Sequence, residues 1–451
     1  KMIVLLNVGG LVDMSFVDKY APDSVLYVWQ GGMTGGTGTA AVLTGKISPS
    51  GKLPDTIAYN VSDYPSAPYF GDKERNFYKE DIFVGYRWFE TFAKDKVRYP
   101  FGYGLSYTTF DIKPINTTGN GIEVTLTVNV TNTGKYNGKE VVQVYCEAPQ
   151  GKLGKASRIL CGFEKTKELA PGESQELEIK IQISDLMSYD DSGASGNLSC
   201  WVMEAGDYTF YVGNDVRSAV PALTVTQPNT AVWKKCVQAL APVIPFERIR
   251  AVGSGDDLTY KTEPVPLNKA DESQRIIYRL PKEIPYTGDR GIKLADVKNK
   301  KNNMNEFIAQ LSDYDLECII RGEGMGSPRV TAGTASAFGG VTDELSAFGI
   351  PAGCCSDGPS GMRLDCGTKA FSLPNGTMIA STFNKELITE LFEFMGTEMT
   401  ANNVECLLGP GMNIHRHPLN GRNFEYFSED PFLTGSMASA ELIGLHNAGV
   451  T

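Results

Sequence analysis

The hydrophobic period of this chain changes twice along its length, and that change limits its architecture more than any other feature. Ile122, Val124, Leu126, Val128 and Val130 alternate with Glu, Thr and Asn, the two-residue period of a strand buried on one face. The same period returns in Val142, Val144 and Cys146, then in Leu177, Ile179, Ile181 and Ile183, then in Tyr208, Phe210 and Val212. Thr133-Gly134, Pro171-Gly172-Glu173 and Ala205-Gly206-Asp207 separate these runs at sandwich-like spacing. Residues 113–226 are therefore expected to form a β-sandwich of immunoglobulin or fibronectin type. No reactive cluster falls within it, so its role reads as structural.

On both sides of the sandwich, short apolar strands alternate with helices. Residues 2–8 and 24–29 are wholly apolar or nearly so, the pattern of strands buried in a parallel sheet. Residues 13–20 read as helix, and Gly31, Gly32, Gly35, Gly36 and Gly38 open a second helix reaching Leu43. A glycine loop at a helix start can admit phosphate. This one lacks the G-x-G-x-x-G spacing, a Lys-Ser/Thr pair and a ribose-binding acid, so close strand–helix packing is the favoured reading over nucleotide binding. The aromatic stretches at 80–90 and 99–110 suit packing between domains better than a platform for sugar rings. Two strand–helix pairs are too few for a stable open sheet, so residues 1–112 read as the second part of an α/β-sandwich domain.

Residues 227–297 carry prolines at 242, 245, 264, 266, 281 and 285. They are expected to form a linker wrapping a surface, with a short helix over 231–240. From 298 the helical period returns. Helices are expected over 305–311 and 312–320, the latter capped by Ser312 with Asp315 three residues on. A long loop over 321–340 precedes a strand at 350–355. The helix 384–402 places Leu387, Leu391, Met395 and Met399 on one stripe. A strand at 404–408 and a helix over 432–445 follow. This βαβα progression has the lengths of a (β/α)8 TIM-like barrel, which needs roughly 250 residues. Residues 298–451 are too few, and read as its first part. The fold class expected is multidomain α/β plus β, with both end domains continued by polypeptide not in this sequence.

Two loops after strands carry the polar chemistry. Residues 356–363 read SDGPSGMR, and residues 409–431 read GPGMNIHRHPLNGRNFEYFSEDP. α/β barrels place binding groups at strand ends. Polar side chains fixed at strand ends can hold the hydroxyls of a sugar, an Asp as acceptor and an Arg as a fork of donors. Arg422 and Glu425 equally suit a loop-stabilising ion pair, and Asp357 before Gly-Pro suits a turn cap.

The formal charge of −11 leaves no basic face for nucleic acid, and no apolar run approaches the ~20 residues of a membrane helix. Nine scattered cysteines without a C-x-x-C point to reduced thiols and a cytoplasmic setting. Of three histidines, His415 and His417 stand two apart, which makes no zinc set. No metal or other cofactor is expected.

The phrases SDGPSGMR, NGRNFEYFSEDP, SGKLPDTI, VGYRWFE and FGYGLSYT together resemble glycoside hydrolase family 3, the β-glucosidase family. The likeness spans residues 1–226 and 304–451, and the α/β and sandwich parts precede the barrel as in permuted members. It implies a retaining, exo-acting β-glycosidase that hydrolyses terminal non-reducing β-D-glucosyl residues. By resemblance, Asp357, Arg363 and Arg422 bind hydroxyls of the terminal sugar, while Glu425 and Glu429 orient Arg422 and its loop. The family's nucleophile and acid/base would fall beyond Thr451 and before Lys1, so no catalytic residue is assigned within the chain. The partners implied are a β-glucoside or short β-linked oligosaccharide, and a second chain or further polypeptide that completes both end domains. The alternative reading is a non-catalytic carbohydrate-binding or scaffold protein that kept the sugar-contacting loops.

Overall fold

A computed structural model describes residues 1–119, 121–238, 240–269 and 271–451. The chain divides into two compact units: Lys1–Lys269 with Pro374–Asn384 and Met412–Met437, and Ala270–Leu373 with Lys385–Gly411 and Ala438–Thr451.

In the first unit the alternating runs build two antiparallel sheets. One has three strands, in the order Phe110–Gly119, Glu123–Asn132, Ser174–Gln182. The other has four, in the order Val220–Gln227, Gly206–Gly213, Val141–Glu147, Ile159–Lys165. Leu126, Val128 and Val130 pack with Val142, Val144, Ile179, Ile181, Phe210 and Val212 in one buried cluster. Each such side chain contributes about 1.5–3 kcal/mol on leaving water.

The strand Val141–Glu147 departs from the half-buried pattern, because its second face is also covered. Gln143 and Tyr145 are fully buried; Gln143 Nε2 donates to Gly102 O at 3.1 Å, and Phe101 lies edge-on to Tyr145. The aromatic stretch at 99–110 thus packs on the sandwich. A Cβ at Gly102 would meet Gln143 Oε1 at 2.1 Å, and its φ of +80° also requires glycine.

The N-terminal part holds a parallel pair, Ile3–Leu6 with Ser24–Tyr27, and a helix Gly35–Leu43. The close approach found in the glycine run is local rather than strand against helix: an added Cβ at Gly31 would lie 2.6 Å from Gly35 Cα, four residues on. At Gly35, Gly36 and Gly38 it would meet nothing within 4 Å. Gly31, Gly32, Gly35 and Gly36 line an open groove of about 350 Å3.

The segment expected as a linker is structured. Residues 231–240 give a strand, Ala231–Lys235, antiparallel to Cys200–Met203, in place of a short helix; Ala239 lies outside the described residues. The β-branched and aromatic pair Val232-Trp233 suits a strand, and an available edge supplies its backbone partners. A hairpin then joins Glu247–Val252 to Thr259–Pro264. One of its two buried positions is charged, which masks the apolar alternation: Arg248 is paired with Asp191 at 2.5 Å, Glu263 at 3.1 Å and Asp81 at 3.2 Å.

In the second unit, Ala352–Asp357 pairs antiparallel with Ser336–Gly339 and parallel with Cys406–Leu408. The first of these partners lies within residues expected as loop. Ser312 and Asp315 form a reciprocal capping box on the helix Asp313–Arg321. The helix Lys385–Ala401 buries Ile388, Phe392, Met395 and Met399, while Leu387 is 47% exposed. The expected stripe is thus displaced by one position at its start. Two adjacent apolar rows compete there, and packing selects the one that holds Phe392.

Candidate functional site

The loop carrying Arg422 is built from both of its stems. His415 N donates to Ser428 O at 3.0 Å, tying the incoming stem to the outgoing one. Both are then held by the tripeptide Pro54-Asp55-Thr56. Ser428 Oγ donates to Pro54 O at 2.6 Å, and Glu429 N donates to Asp55 Oδ1 at 2.9 Å. His415 Nδ1 lies 2.9 Å from each Asp55 oxygen, and Thr56 Oγ1 donates to Glu429 Oε1 at 2.7 Å. The side chains of Asp55, Thr56, His415, Ser428 and Glu429 are all buried, so these bonds form away from competing water.

Toward the tip, Asn423 Nδ2 donates to His417 O and Asn420 Nδ2 to Asn423 Oδ1, each at 2.9 Å. The short turn Asn423–Glu425 packs on the helix Gly376–Ser381, where Thr377 Oγ1 donates to Asn423 O at 3.2 Å. A Cβ at Gly376 would lie 2.7 Å from Tyr426 O, so this close approach requires glycine. Arg422 Nε donates to the buried Glu425 carboxylate, yet the arginine side chain is 71% exposed.

Glu429 makes other bonds. Besides Thr56 it accepts from Tyr86 N at 2.8 Å, at the start of the helix Tyr86–Phe92. Burial, followed by the neighbouring Asp55 charge, pushes its carboxyl up to about 8. Asp430 accepts from Tyr86 OH at 2.7 Å, pairs with Arg87 at 3.4 Å, and caps the next helix by accepting from Leu433 N at 2.8 Å. Arg416 is bound by Glu80 and donates to Phe77 O at 2.6 Å.

The second strand-end loop belongs to the other unit. Asp357 ends the strand Ala352–Asp357, and its main-chain oxygen accepts from Arg363 N at 2.8 Å. The Arg363 and Asp357 side chains stand 3.7 Å apart, and Arg363 Nε donates to Asp365 at 3.0 Å. Asp365 foremost raises the Arg363 pKa, keeping the guanidinium charged. Both Asp357 and Arg363 side chains are about half exposed, at 49% and 61%. Gly358 and Gly361 have φ of +140° and +113° and face carbonyls at 1.9 Å and 2.1 Å from an added Cβ. That tight turn returns Arg363 to Asp357.

Of the residues expected from sequence, Asp357 and Arg363 therefore meet within the second unit. Arg422, Glu425 and Glu429 lie in the first, where Glu425 is bonded to Arg422 and Glu429 to Thr56 and Tyr86. Among the described residues no group of three or more His, Cys, Asp or Glu side chains is arranged to hold a metal ion. Sequence reasoning missed Asp55 and Thr56, although a polar pair inside the otherwise apolar run LPDTI was its one available signal.

Comparison with known proteins agrees with this architecture. Residues 1–107 match the glycosyl hydrolase family 3 C-terminal domain, residues 140–216 a fibronectin type III-like domain, and residues 288–451 the glycosyl hydrolase family 3 N terminal domain. The chain belongs to glycosyl hydrolase family 3. Its C-terminal-type domain precedes the N-terminal-type one, with the fibronectin type III-like domain between. This family 3 chain is 64% identical to a β-glucosidase of Ruminococcus albus over all 451 residues, which are 47% of that protein. It is 38% identical to β-glucosidase A of Butyrivibrio fibrisolvens, covering 58% of it. A crystal structure of a β-glucosidase from Paenibacillus barengoltzii superposes on the whole chain with a TM-score of 0.97 at 49% identity, covering 50% of that structure. The family 3 chain thus spans about half the length of the relatives it matches.

Proposed function

We propose that this chain is the sugar-binding portion of a retaining, exo-acting β-glucosidase that releases terminal non-reducing β-D-glucosyl residues. The observation that carries the proposal is the 64% identity to a β-glucosidase across the entire chain. Asp357, Arg363 and Arg422 bind hydroxyls of the terminal glucose, and Glu425 orients Arg422. The exposed side chains of Asp357, Arg363 and Arg422, each held by an ion pair, support this reading. Retention requires two carboxylates about 5 Å apart, a nucleophile and an acid/base. Both are assigned to polypeptide beyond these 451 residues, either continuous with them or in a second chain.

Residues 1–112, 113–226, 227–297 and 298–451 are assigned respectively to an α/β-sandwich part, the β-sandwich, a connecting segment and the first part of a (β/α)8 barrel. The parallel pairing of Ala352–Asp357 with Cys406–Leu408, with the helix Lys385–Ala401 between them in sequence, supports the barrel. All nine cysteines are unpaired, which supports work in the cytoplasm. Nine reactive thiols per chain on denaturation without reductant are expected, and fewer would overturn that setting.

The reaction is tested by proton NMR of an aryl β-D-glucoside incubated with the full-length protein, alongside its intact mass. β-Glucose appearing first, from material heavier than 49.0 kDa or containing a second polypeptide, is expected. α-Glucose appearing first would refute retention, and binding without hydrolysis would refute catalysis.

A further inference from the structure

We propose that Asp55, His415 and Glu429 form a buried latch that positions the Arg422 loop for sugar binding, and that the latch opens when Glu429 ionises. The proposal rests on the reading of Arg422 as a glucose ligand and extends it to residues that touch no substrate.

The geometry is that of a clamp. The two stems, His415 on one side and Ser428-Glu429 on the other, converge on Pro54, Asp55 and Thr56. The exposed Arg422 lies on the span between them. Asp55 is the shared acceptor, taking the Glu429 main-chain N–H on one oxygen and the His415 ring on both. Releasing that carboxylate loosens both stems at once, leaving the Ser428 bond to Pro54 O and the Thr56 bond to Glu429. Glu429 is held tightly as well: a Cβ at Gly85 would lie 2.0 Å from Glu429 Cδ, so the carboxyl fills the space a side chain would need.

The charges around Glu429 explain why ionisation opens the clamp. From the 54–56 segment it faces Asp55, and from the helix Tyr86–Phe92 it faces the Tyr86 main chain. Tyr64 lies close enough to feel its charge. Beyond these stand Asp430 with Arg87 and Tyr86, and His415 on the far side of Asp55. Arg87 is engaged by Asp430. Among the described residues no cation forms an ion pair with Glu429, so a second carboxylate charge next to Asp55 lacks an offsetting partner, and like charges in a buried site repel strongly. Protonated Glu429 keeps both acceptor bonds and adds no charge. Its carboxyl, raised to about 8 by burial and then by Asp55, places the opening just above neutrality.

The test uses the full-length protein and Glu429→Gln, which retains the acceptor oxygen and stays neutral. Hydrogen exchange of peptides spanning residues 418–424 is compared between wild type and variant at equal pH. Equal rates at pH 6.5 and exchange at least ~10-fold faster in wild type at pH 9 are expected. Equal rates at both pH values would overturn the latch. In kinetics on an aryl β-glucoside, wild-type KM is expected to rise severalfold from pH 7 to 9 with kcat little changed, and the Glu429→Gln KM to stay flat. Asp55→Asn is expected to raise KM at pH 7, with partial rescue by Asp55→Glu. Arg422→Ala separates the two readings. If it leaves KM unchanged while the exchange difference is present, the sugar-contact reading fails and the latch stands. If it raises KM while the exchange difference is absent, the latch fails alone.

Discussion

His415 and Asp55 stand 360 positions apart in sequence, yet the His415 ring Nδ1 lies 2.9 Å from both oxygens of the Asp55 carboxylate. This contact ties the loop carrying Arg422 to the N-terminal part of the chain. Imidazole Nδ1–H donation to Asp55 also fixes the tautomer, leaving Nε2 unprotonated while the ring is neutral.

Gly85 is required by this arrangement on two counts. Its φ is +56° and ψ −133°, and an added Cβ would fall 2.0 Å from Glu429 Cδ. Gly85→Ala should therefore combine backbone strain, on the order of 1–3 kcal/mol, with displacement of Glu429. A lowered urea midpoint is expected, and an unchanged one would show that the contact yields without cost.

Glu429 should also leave a signature in stability. Its folded-state pKa of about 8 lies above its unfolded value of about 4.5. Between those values the native state holds a proton the unfolded chain has lost, so native stability falls as pH rises from 4.5 to 8. Glu429→Gln removes that loss. Its stability relative to wild type should increase from pH 5 to pH 8 in denaturant titrations, and a constant difference would contradict the assignment.

Lys165 acts in the opposite sense over a neighbouring range. Burial, then Lys139 and Lys52, lower its pKa to about 7. Its Nζ donates to Thr382 O at 2.9 Å and Ser50 O at 3.1 Å, bonds a neutral amine can keep. Between pH 7 and 10.5 the unfolded state binds the extra proton, so this residue's contribution to stability rises with pH. Lys165→Met should flatten that part of the profile, as measured by denaturation at pH 7 and pH 9.

The helix Lys385–Ala401 offers a direct check on packing. Ile388 is buried and Leu387 is 47% exposed. Ile388→Ala should cost about 2–5 kcal/mol and Leu387→Ala under about 1 kcal/mol, read from urea midpoints. Equal losses would return the buried face to the Leu387 row.

What was legible in the sequence follows from how locally each feature is specified. The alternation at 122–130 requires only one buried face, and its strand formed as expected. The capping box of Ser312 and Asp315 spans four residues and was equally readable. The hairpin Glu247–Val252 with Thr259–Pro264 was not, because its buried Arg248 finds its acids at Asp81, Asp191 and Glu263. The same holds for the site. The exposed Arg422 with Glu425 three residues away could be read from spacing, whereas Asp55 and Thr56 acquire meaning only when folding brings residues 428–429 against them.

The most direct test of the central claim is kcat/KM of the Asp357→Ala variant of the full-length protein on an aryl β-D-glucoside. Contacts to sugar hydroxyls strengthen in the transition state. A loss of roughly 100-fold or more, about 3 kcal/mol, is expected. A change of less than about threefold, under about 1 kcal/mol, would contradict the assignment of this strand-end loop to sugar binding.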